Sequence, residues 1–444
     1  MAPAFATPPS ISAALRPNIL LIVSDDQGYA DTGFQGSPDI ATPHLDQLAA
    51  RGIRFTNGYV THSFCSPSRA GLMAGRYQQR FGHERNVFYD PADHREGLPT
   101  TETLLPERLR AAGYVTGWIG KWHLGAAPEF VPARRGFAET FGFIGGGHRF
   151  RDWPVNPAEE YFVPVERGGR SVEIDGHLTA ALGGEAAAFV RRHADQPWFL
   201  YLAFNAPHNP QEPTEERLAR FAAIKDPVRR KYAAQISLMD DAIGETLAAL
   251  HESGQGARTL VIFFSDNGGP PPAINGADNR PLRGAKGSNY EGGIRVPFVM
   301  SWPGQLAAGT VEHRPVSAID VFATSLGVAG AAMPTDRPYD SVNLMPYLTG
   351  RNPGAPHDRL FWRSGKQWAV REGDWKLVRQ PGQPDELYNL ARDLAEQENL
   401  VRAERQVAAR LAAALETWDR QLIAPVFPGL EARSKGNKKR PAKP

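Results

Sequence analysis

The chain has 444 residues, 41% of them hydrophobic, and a formal net charge of +2. With 44 glycines and 38 prolines it is a loop-rich globular protein rather than a low-complexity one, and its charge gives no pull toward nucleic acid or an anionic membrane. One cysteine excludes an internal disulfide, and no apolar run approaches the ~18 residues of a membrane span. The N-terminal stretch lacks the basic region and apolar core of a signal peptide, so the expectation is a cytosolic protein or one whose export signal has been removed.

In chain order, residues 18–24 (NILLIVS) read as a strand buried on both faces. Residues 42–52 read as a helix, with Thr42 as N-cap, Pro43 in the first turn and Gly52 as the stop. Residues 53–60 are strand-like, 104–113 helical, and 114–125 extended. A helix follows over 177–194, weakened by Gly183 and Gly184, then a buried strand over 198–208. A long helix over 229–252 leads into the strand at 259–269. This alternation predicts an α/β fold, a large and mainly parallel sheet between helical layers, over residues 17–352.

After about residue 353 the pattern changes. Short runs at 360–365, 368–373 and 375–380 read as an antiparallel meander, and 403–422 as a helix. The expectation is a small C-terminal antiparallel α+β subdomain over 353–425. Residues 426–444 form a basic tail in which Arg433, Lys435, Lys438, Lys439, Arg440 and Lys443 face one acid, Glu431, a composition that stays solvated.

Several strand ends carry chemistry. Asp25 and Asp26 follow the first strand, and Asp266 and Asn267 follow the apolar run TLVIFFS at residues 259–265. In open α/β sheets ligands bind at the carboxyl ends of strands, so these groups could converge on a cation, and oxygen-only donors favour Ca²⁺ or Mg²⁺ over zinc. Lys121 and His123 lie two apart in GKWHLG, so an extended segment would point them the same way. His208 follows a buried strand in a loop stiffened by Pro207 and Pro210, and Lys286 sits in the Gly-rich stretch 282–293.

Cys65 lies in SFCSPSRAG. Pro67 suits the first turn of a helix, which places Cys65 at its N-terminus, with Arg69 one turn on. An inert core thiol does not fit such a setting, while a thiolate nucleophile would need neither the second lysine nor a metal.

Together these motifs resemble the type I, formylglycine-dependent sulfatases of the alkaline phosphatase superfamily, including bacterial polysaccharide sulfatases and arylsulfatases. CSPSR at 65–69 is similar to that family's C-x-P-x-R signature, and SDDQGYAD, GKWHLG, SDNGG and LRGAKGSNYEGGIRVPF occur in the family's order. The resemblance implies that Cys65 is converted by a formylglycine-generating enzyme to Cα-formylglycine, which hydrates to a gem-diol. It implies that Asp25, Asp26, Asp266 and Asn267 hold Ca²⁺ together with residue 65, and that Arg69 orients the diol. Lys121, His123, His208 and Lys286 correspond to the groups that bind the sulfate and move protons, His208 toward the leaving alcohol and His123 at residue 65. His148, Arg149 and His83 are candidate substrate contacts. The implied activity is hydrolysis of a sulfate ester of a carbohydrate or an aryl sulfate. Two alternatives are a phosphate mono- or diesterase on the same scaffold, which the absence of His among the strand-end ligands disfavours, and a non-catalytic protein that binds sulfated glycans. Oligomeric state is not legible in the sequence.

Overall fold

The computed structural model describes residues 16–429 apart from 152, 157 and 158. Ten strands, numbered along the chain, form one large sheet. In spatial order they are β11 (Thr310–Glu312), β2 (Ile53–Phe55), β10 (Phe298–Ser301), β9 (Thr259–Ser265), β1 (Asn18–Ser24), β8 (Trp198–Ala203), β4 (Val115–Lys121), β5 (Glu139–Phe143), β6 (Val165–Arg167) and β7 (Arg170–Val172). The five from β9 to β5 run parallel, whereas β10 opposes β9 and β2, and β6 and β7 are antiparallel additions at the far edge. The expected mixed, mainly parallel sheet is therefore present.

The apolar run of β1 has a simple cause. Ile19, Leu21 and Val23 enter one core, and Leu20 and Ile22 enter another on the opposite face. Strands covered on both faces need no polar alternation, and full burial of each such side chain contributes ~1.5–3 kcal/mol. The helices Leu178–Arg192 and Pro227–Glu252 pack closely on one face. Gly183 permits that contact, since a Cβ there would sit 2.7 Å from the Ala242 Cβ. The glycine expected to weaken its helix instead lets two helices approach.

Three local readings are corrected. The run 53–60 is not one strand: β2 ends at Phe55, and β3 (Gly58–Tyr59) pairs with β12 (Val316–Ser317) in a separate two-stranded sheet. The segment 114–125 is extended only to Lys121, and His123 takes a left-handed φ of 59°. The helix at Pro43–Ala50 is not capped by the Thr42 side chain; Asp240, from the helix Pro227–Glu252, accepts from the His44 and Leu45 amides instead.

Past residue 353 the chain builds a four-stranded antiparallel sheet, β13 (Leu360–Ser364), β14 (Gln367–Glu372), β15 (Trp375–Arg379) and β16 (Glu386–Asn389), then the helix Arg405–Asp419. The fourth strand lies beyond the three runs visible in the sequence. One face of this sheet packs on the helix through Val370, Leu377, Leu411 and Trp418, and the other packs Trp362 and Tyr388 against Tyr59 and Ile294 of the larger unit. At the start of the stretch assigned to the basic tail, Phe427 is buried against His83 and the Val426 amide donates to the Gly82 carbonyl, while the Val426 and Pro428 side chains stay exposed. The tail's cationic residues lie outside the described residues.

No helix among the described residues is long and apolar enough to cross a membrane.

Candidate active site

The parallel strands deliver their polar residues to one edge of the sheet. Ser24 and Ser265 are level in the β1–β9 register, so Asp25 and Asp266 emerge side by side. Consecutive residues of a strand point apart. Asp26 escapes that rule by taking a left-handed φ of 65°, a conformation Asp tolerates better than most residues. Both carboxylates therefore converge: ligand atoms of Asp25, Asp26, Asp266 and Cys65 all lie within 4.8 Å of one another.

Asn267 completes this group. Its amide NH2 donates to Asp26 Oδ1 at 2.7 Å, and its Oδ1 is a buried acceptor without a partner. An unpartnered buried oxygen is costly unless something binds it. Three carboxylates, one amide oxygen and residue 65 make a hard, oxygen-rich donor set that fits a divalent cation.

Cations surround the cluster. Lys121 Nζ lies 2.5 Å from Asp25 Oδ2, and Lys286 Nζ lies 2.7 Å from Asp26 Oδ1. Arg69 is fully buried, donates from Nε to Asp266 Oδ2 at 2.9 Å and is braced by the Tyr201 hydroxyl at 3.1 Å. Burial would raise the Asp25 carboxyl, but Lys121, His208, Arg69 and Lys286 outweigh it and hold Asp25 far below the usual carboxylate range. Asp266 is pushed up to about 6, by burial first and then by the Asp25 charge, against the pull of Arg69 and Lys121.

Cys65 is the first residue of the helix Cys65–Ala74, as its neighbours Pro67 and Arg69 suggest. Its Sγ lies 3.5 Å from Asp25 Oδ1. Burial pushes the thiol pKa up despite Lys121 and Lys286, so the unmodified side chain is a neutral thiol and a poor nucleophile. The electropositive surroundings are real, but desolvation beats them.

The two histidines differ. His123 is buried, neither ring nitrogen has a partner, and its pKa lies well below the ordinary 6.5, through burial first and then Lys121 and Arg69. Its left-handed backbone, not strand alternation, brings it beside Lys121. His208 Nδ1 contacts the Asn209 carbonyl at 2.6 Å, which places a proton there and leaves Nε2 as the titrating atom, 3.6 Å from Asp26 Oδ2. Burial lowers the His208 pKa, while Asp25 and Asp26 draw it back up.

The structure brings together all ten residues expected for catalysis and metal binding, but not the three expected substrate contacts. His148 is 1% exposed, its two ring nitrogens face the carbonyls of Arg149 and Val163, and Phe143 and Trp153 pack against its ring. His83 is wholly buried and bonds Ser66 Oγ at 2.7 Å, so it supports the Cys65 helix from behind. Arg149 forms an ion pair with Glu212 and lies over Phe162. All three are engaged by protein groups, although among the described residues His83 Nδ1 and Arg149 Nε are left without a hydrogen-bond partner.

Sequence reasoning missed Tyr201, Glu160 and Tyr161. Tyr201 sits inside a strand that reads as plain core. Glu160 accepts from the Gly146 amide at 2.7 Å; a Cβ on Gly146 would meet both Glu160 Oε1 and the His123 ring. Tyr161 lies 6.3 Å, ring to ring, from His208. Nothing local in 145–161 marks either residue.

Comparison with known proteins agrees with this geometry. Residues 17–331 match the family described as Sulfatase, and residues 285–421 match N-sulphoglucosamine sulphohydrolase, C-terminal. The chain is 37% identical over 380 residues to N-acetylgalactosamine-6-sulfatase of Rattus norvegicus, covering 81% of this chain and 71% of that protein. It is 36% identical to arylsulfatase A of Bos taurus over 394 residues, covering 82% and 75%. The solved structure of Ps i-CgsB in complex with k-i-k-neocarrahexaose superposes with a TM-score of 0.89 at 36% identity, covering 95% and 96% of the two chains. The chain belongs to the sulfatase family of the alkaline phosphatase superfamily, whose members generally work with a formylglycine and a metal.

Proposed function

We propose that the chain is a hydrolase that releases sulfate from an ester on a sulfated carbohydrate, with calcium at the carboxylate cluster and Cα-formylglycine made from Cys65. The observation that carries this reading is the convergence of Asp25, Asp26, Asp266 and residue 65 within 4.8 Å, flanked by the buried Lys121 and the mostly buried Lys286. A simple thiol enzyme has no use for that acidic cluster. The likeness to N-acetylgalactosamine-6-sulfatase and to Ps i-CgsB supports a saccharide as the alcohol part of the ester.

When bound, calcium would supply positive charge to the sulfuryl oxygens, and the hydrated formylglycine would supply the oxygen nucleophile. The other roles fall to the chain's own side chains. Lys121 and Lys286 both act electrostatically on residue 65 and neutralise charge that grows on the sulfuryl oxygens, a fixed arrangement that needs no reorganisation during reaction. Arg69, locked by Asp266 and Tyr201, keeps the ligand carboxylate in place. His208 Nε2 holds the proton for the departing alcohol, and its pKa rises again once an anionic ester sits beside it. His123, kept neutral by burial and neighbouring cations, has free ring nitrogens to take up a proton at residue 65.

The test has two parts. Mass spectrometry of the tryptic peptide ending at Arg69, after co-expression with a formylglycine-generating enzyme, should show the aldehyde in place of the thiol. The same protein should turn over 4-nitrophenyl sulfate faster than 4-nitrophenyl phosphate, lose that activity to a chelator and regain it with Ca²⁺. Cys65→Ala should reduce turnover at least ~10³-fold, the scale of losing a nucleophile, with little change in Tm. An unmodified thiol in a fully active preparation would sink the proposal, as would a preference for phosphate.

A further inference from the structure

A cleft of about 350 Å³ opens beside Cys65, within the size range of small-ligand sites. Its walls come from Phe64, Arg85, Asn86, Gly287, Lys366 and Gln367, four separate parts of the chain. Two of these residues adjoin the reacting groups: Phe64 precedes Cys65, and Gly287 follows Lys286. They are held together, since the Gly287 amide donates to Ser63 O at 2.9 Å and a Cβ on Gly287 would meet the Phe64 ring at 2.9 Å. The cleft therefore borders the backbone that carries Cys65 and Lys286.

Its charge is one-sided. Lys366 stands exposed in the two-residue turn between β13 and β14, where Gly365 takes a φ of 60° as a type II′ turn requires. Arg85 bonds the Pro428 carbonyl at 3.0 Å, and among the described residues neither it nor Lys366 forms an ion pair with a carboxylate. Among the described residues the only acid in the lining is Glu84, which is 2% exposed in its side chain and already gripped by the Arg363 guanidinium. Asn86 accepts the Ser66 amide at 3.0 Å through its oxygen, which leaves its NH2 group as a further donor. Phe64 adds an apolar wall against which the C–H face of a sugar ring can lie.

We propose that this cleft is a subsite for the sugar next to the one that loses its sulfate, with Lys366 and Arg85 selecting an anionic group, a sulfate ester or a carboxylate, on that neighbour. The proposal rests on the sulfatase reading, because the catalytic pocket fixes one ester of the same chain at residue 65. It assigns substrate choice in part to the C-terminal sheet, whose first hairpin brings Lys366 into the lining of the cleft.

Competition against 4-nitrophenyl sulfate turnover tests it, with chondroitin, heparin and carrageenan hexasaccharides as competitors. Each would also be tested after chemical desulfation, and the heparin and chondroitin probes after carboxyl reduction, to separate sulfate from carboxylate as the anion read. Lys366→Glu should raise the inhibition constant of the tightest hexasaccharide by roughly 10-fold or more relative to the change in KM for 4-nitrophenyl sulfate, and Arg85→Gln by a smaller factor. Added NaCl should weaken the wild-type competition more than that of the variant. The same hexasaccharide is titrated calorimetrically into Cys65→Ala and Cys65→Ala/Lys366→Glu proteins, which reads the cleft without turnover. If no hexasaccharide competes or binds, or if Lys366→Glu weakens the desulfated, carboxyl-reduced probe as much as the native one, the subsite is wrong. If the wild-type protein turns over no aryl sulfate while the calorimetric loss persists, the subsite stands and the sulfatase reading fails.

Discussion

Arg69 is the residue on which the electrostatics of the site turn. It brings a full positive charge to 0% exposure, and its fork reaches Asp266 from Nε at 2.9 Å and from Nη2 at 2.8 Å. Removing one member of a buried ion pair leaves the other charge desolvated, a loss of ~3–5 kcal/mol. Arg69→Ala should therefore lower stability by about that much and push Asp266, already drawn up to about 6, further into its protonated form. Arg69→Lys should recover part of the stability and less of the activity, since an ammonium cannot bridge Asp266 and the Tyr201 hydroxyl in the same plane. Thermal unfolding and turnover of the two variants check this, and an unchanged Tm for Arg69→Ala would show that the pairing is not what holds Asp266. The sequence made Arg69 visible through its spacing from Cys65. It hid Tyr201, because a tyrosine inside a fully buried strand has the same sequence signature whether its hydroxyl is idle or braces a guanidinium.

At the level of elements, β4 shows how backbone geometry aims a catalytic side chain. Gly120 has a φ of 112°, and a Cβ there would lie 1.9 Å from the Ala203 carbonyl oxygen of β8; Gly142 of β5 is pressed just as closely on Gly120. The three strands come together at the point where Lys121 must leave β4 and reach Asp25. Gly120→Ala should thus separate β4 from β8, cost ~1–3 kcal/mol or more through strain at a left-handed position, and lower activity further than stability because Lys121 moves. Circular dichroism melts and kcat of Gly120→Ala against the neighbouring Ile119→Val decide it; equal losses in the two would argue against a positioning role. The strand itself was plain in the sequence, as were β1, β8 and β9, because parallel strands covered on both faces are unbroken apolar runs. The turn after Lys121 was not, since a left-handed His123 follows from its contacts rather than from the letters GKWHLG. The protein partners of the three expected substrate contacts, His83, His148 and Arg149, were hidden for the same reason: polar letters in loops look available until the packing around them is known.

Across the whole molecule, the C-terminal sheet is fastened to the catalytic unit by buried charge as well as by apolar contact. Lys376 of β15 reaches Glu291 at 2.8 Å and Glu396 at 2.9 Å, all three at 0% exposure, and Glu396 Oε2 accepts the Glu291 amide at 2.7 Å. These partners are 85 and 105 residues apart in the chain, a distance over which charged letters carry no pairing signal, so the node was invisible beforehand. Two carboxylates share one lysine, and they divide its influence unequally. Burial would raise Glu291, but Lys376, Arg295 and Arg371 outweigh it and bring it down to about 2. Glu396 is raised to about 7, by burial first, with Lys376 pulling down and the Glu291 charge pushing up. The signs then follow. Glu396 is raised above its ordinary 4.5, so the native state keeps a proton that the unfolded chain has released, and stability falls as pH rises from about 4.5 to about 7. Glu291 is lowered, so its contribution is present above pH 4.5 and is lost as pH falls toward 2. Glu396→Gln removes the first of these titrations while keeping an acceptor for the Glu291 amide. Between pH 5 and 7.5 the wild-type Tm should decline more steeply than that of Glu396→Gln, whereas below pH 4.5 the two should fall together, because Glu291 is intact in both. Parallel curves over the upper range would mean that Glu396 is ionised throughout. Lys376 would then hold two full negative charges, and the joint between the two sheets would be insensitive to pH in that range.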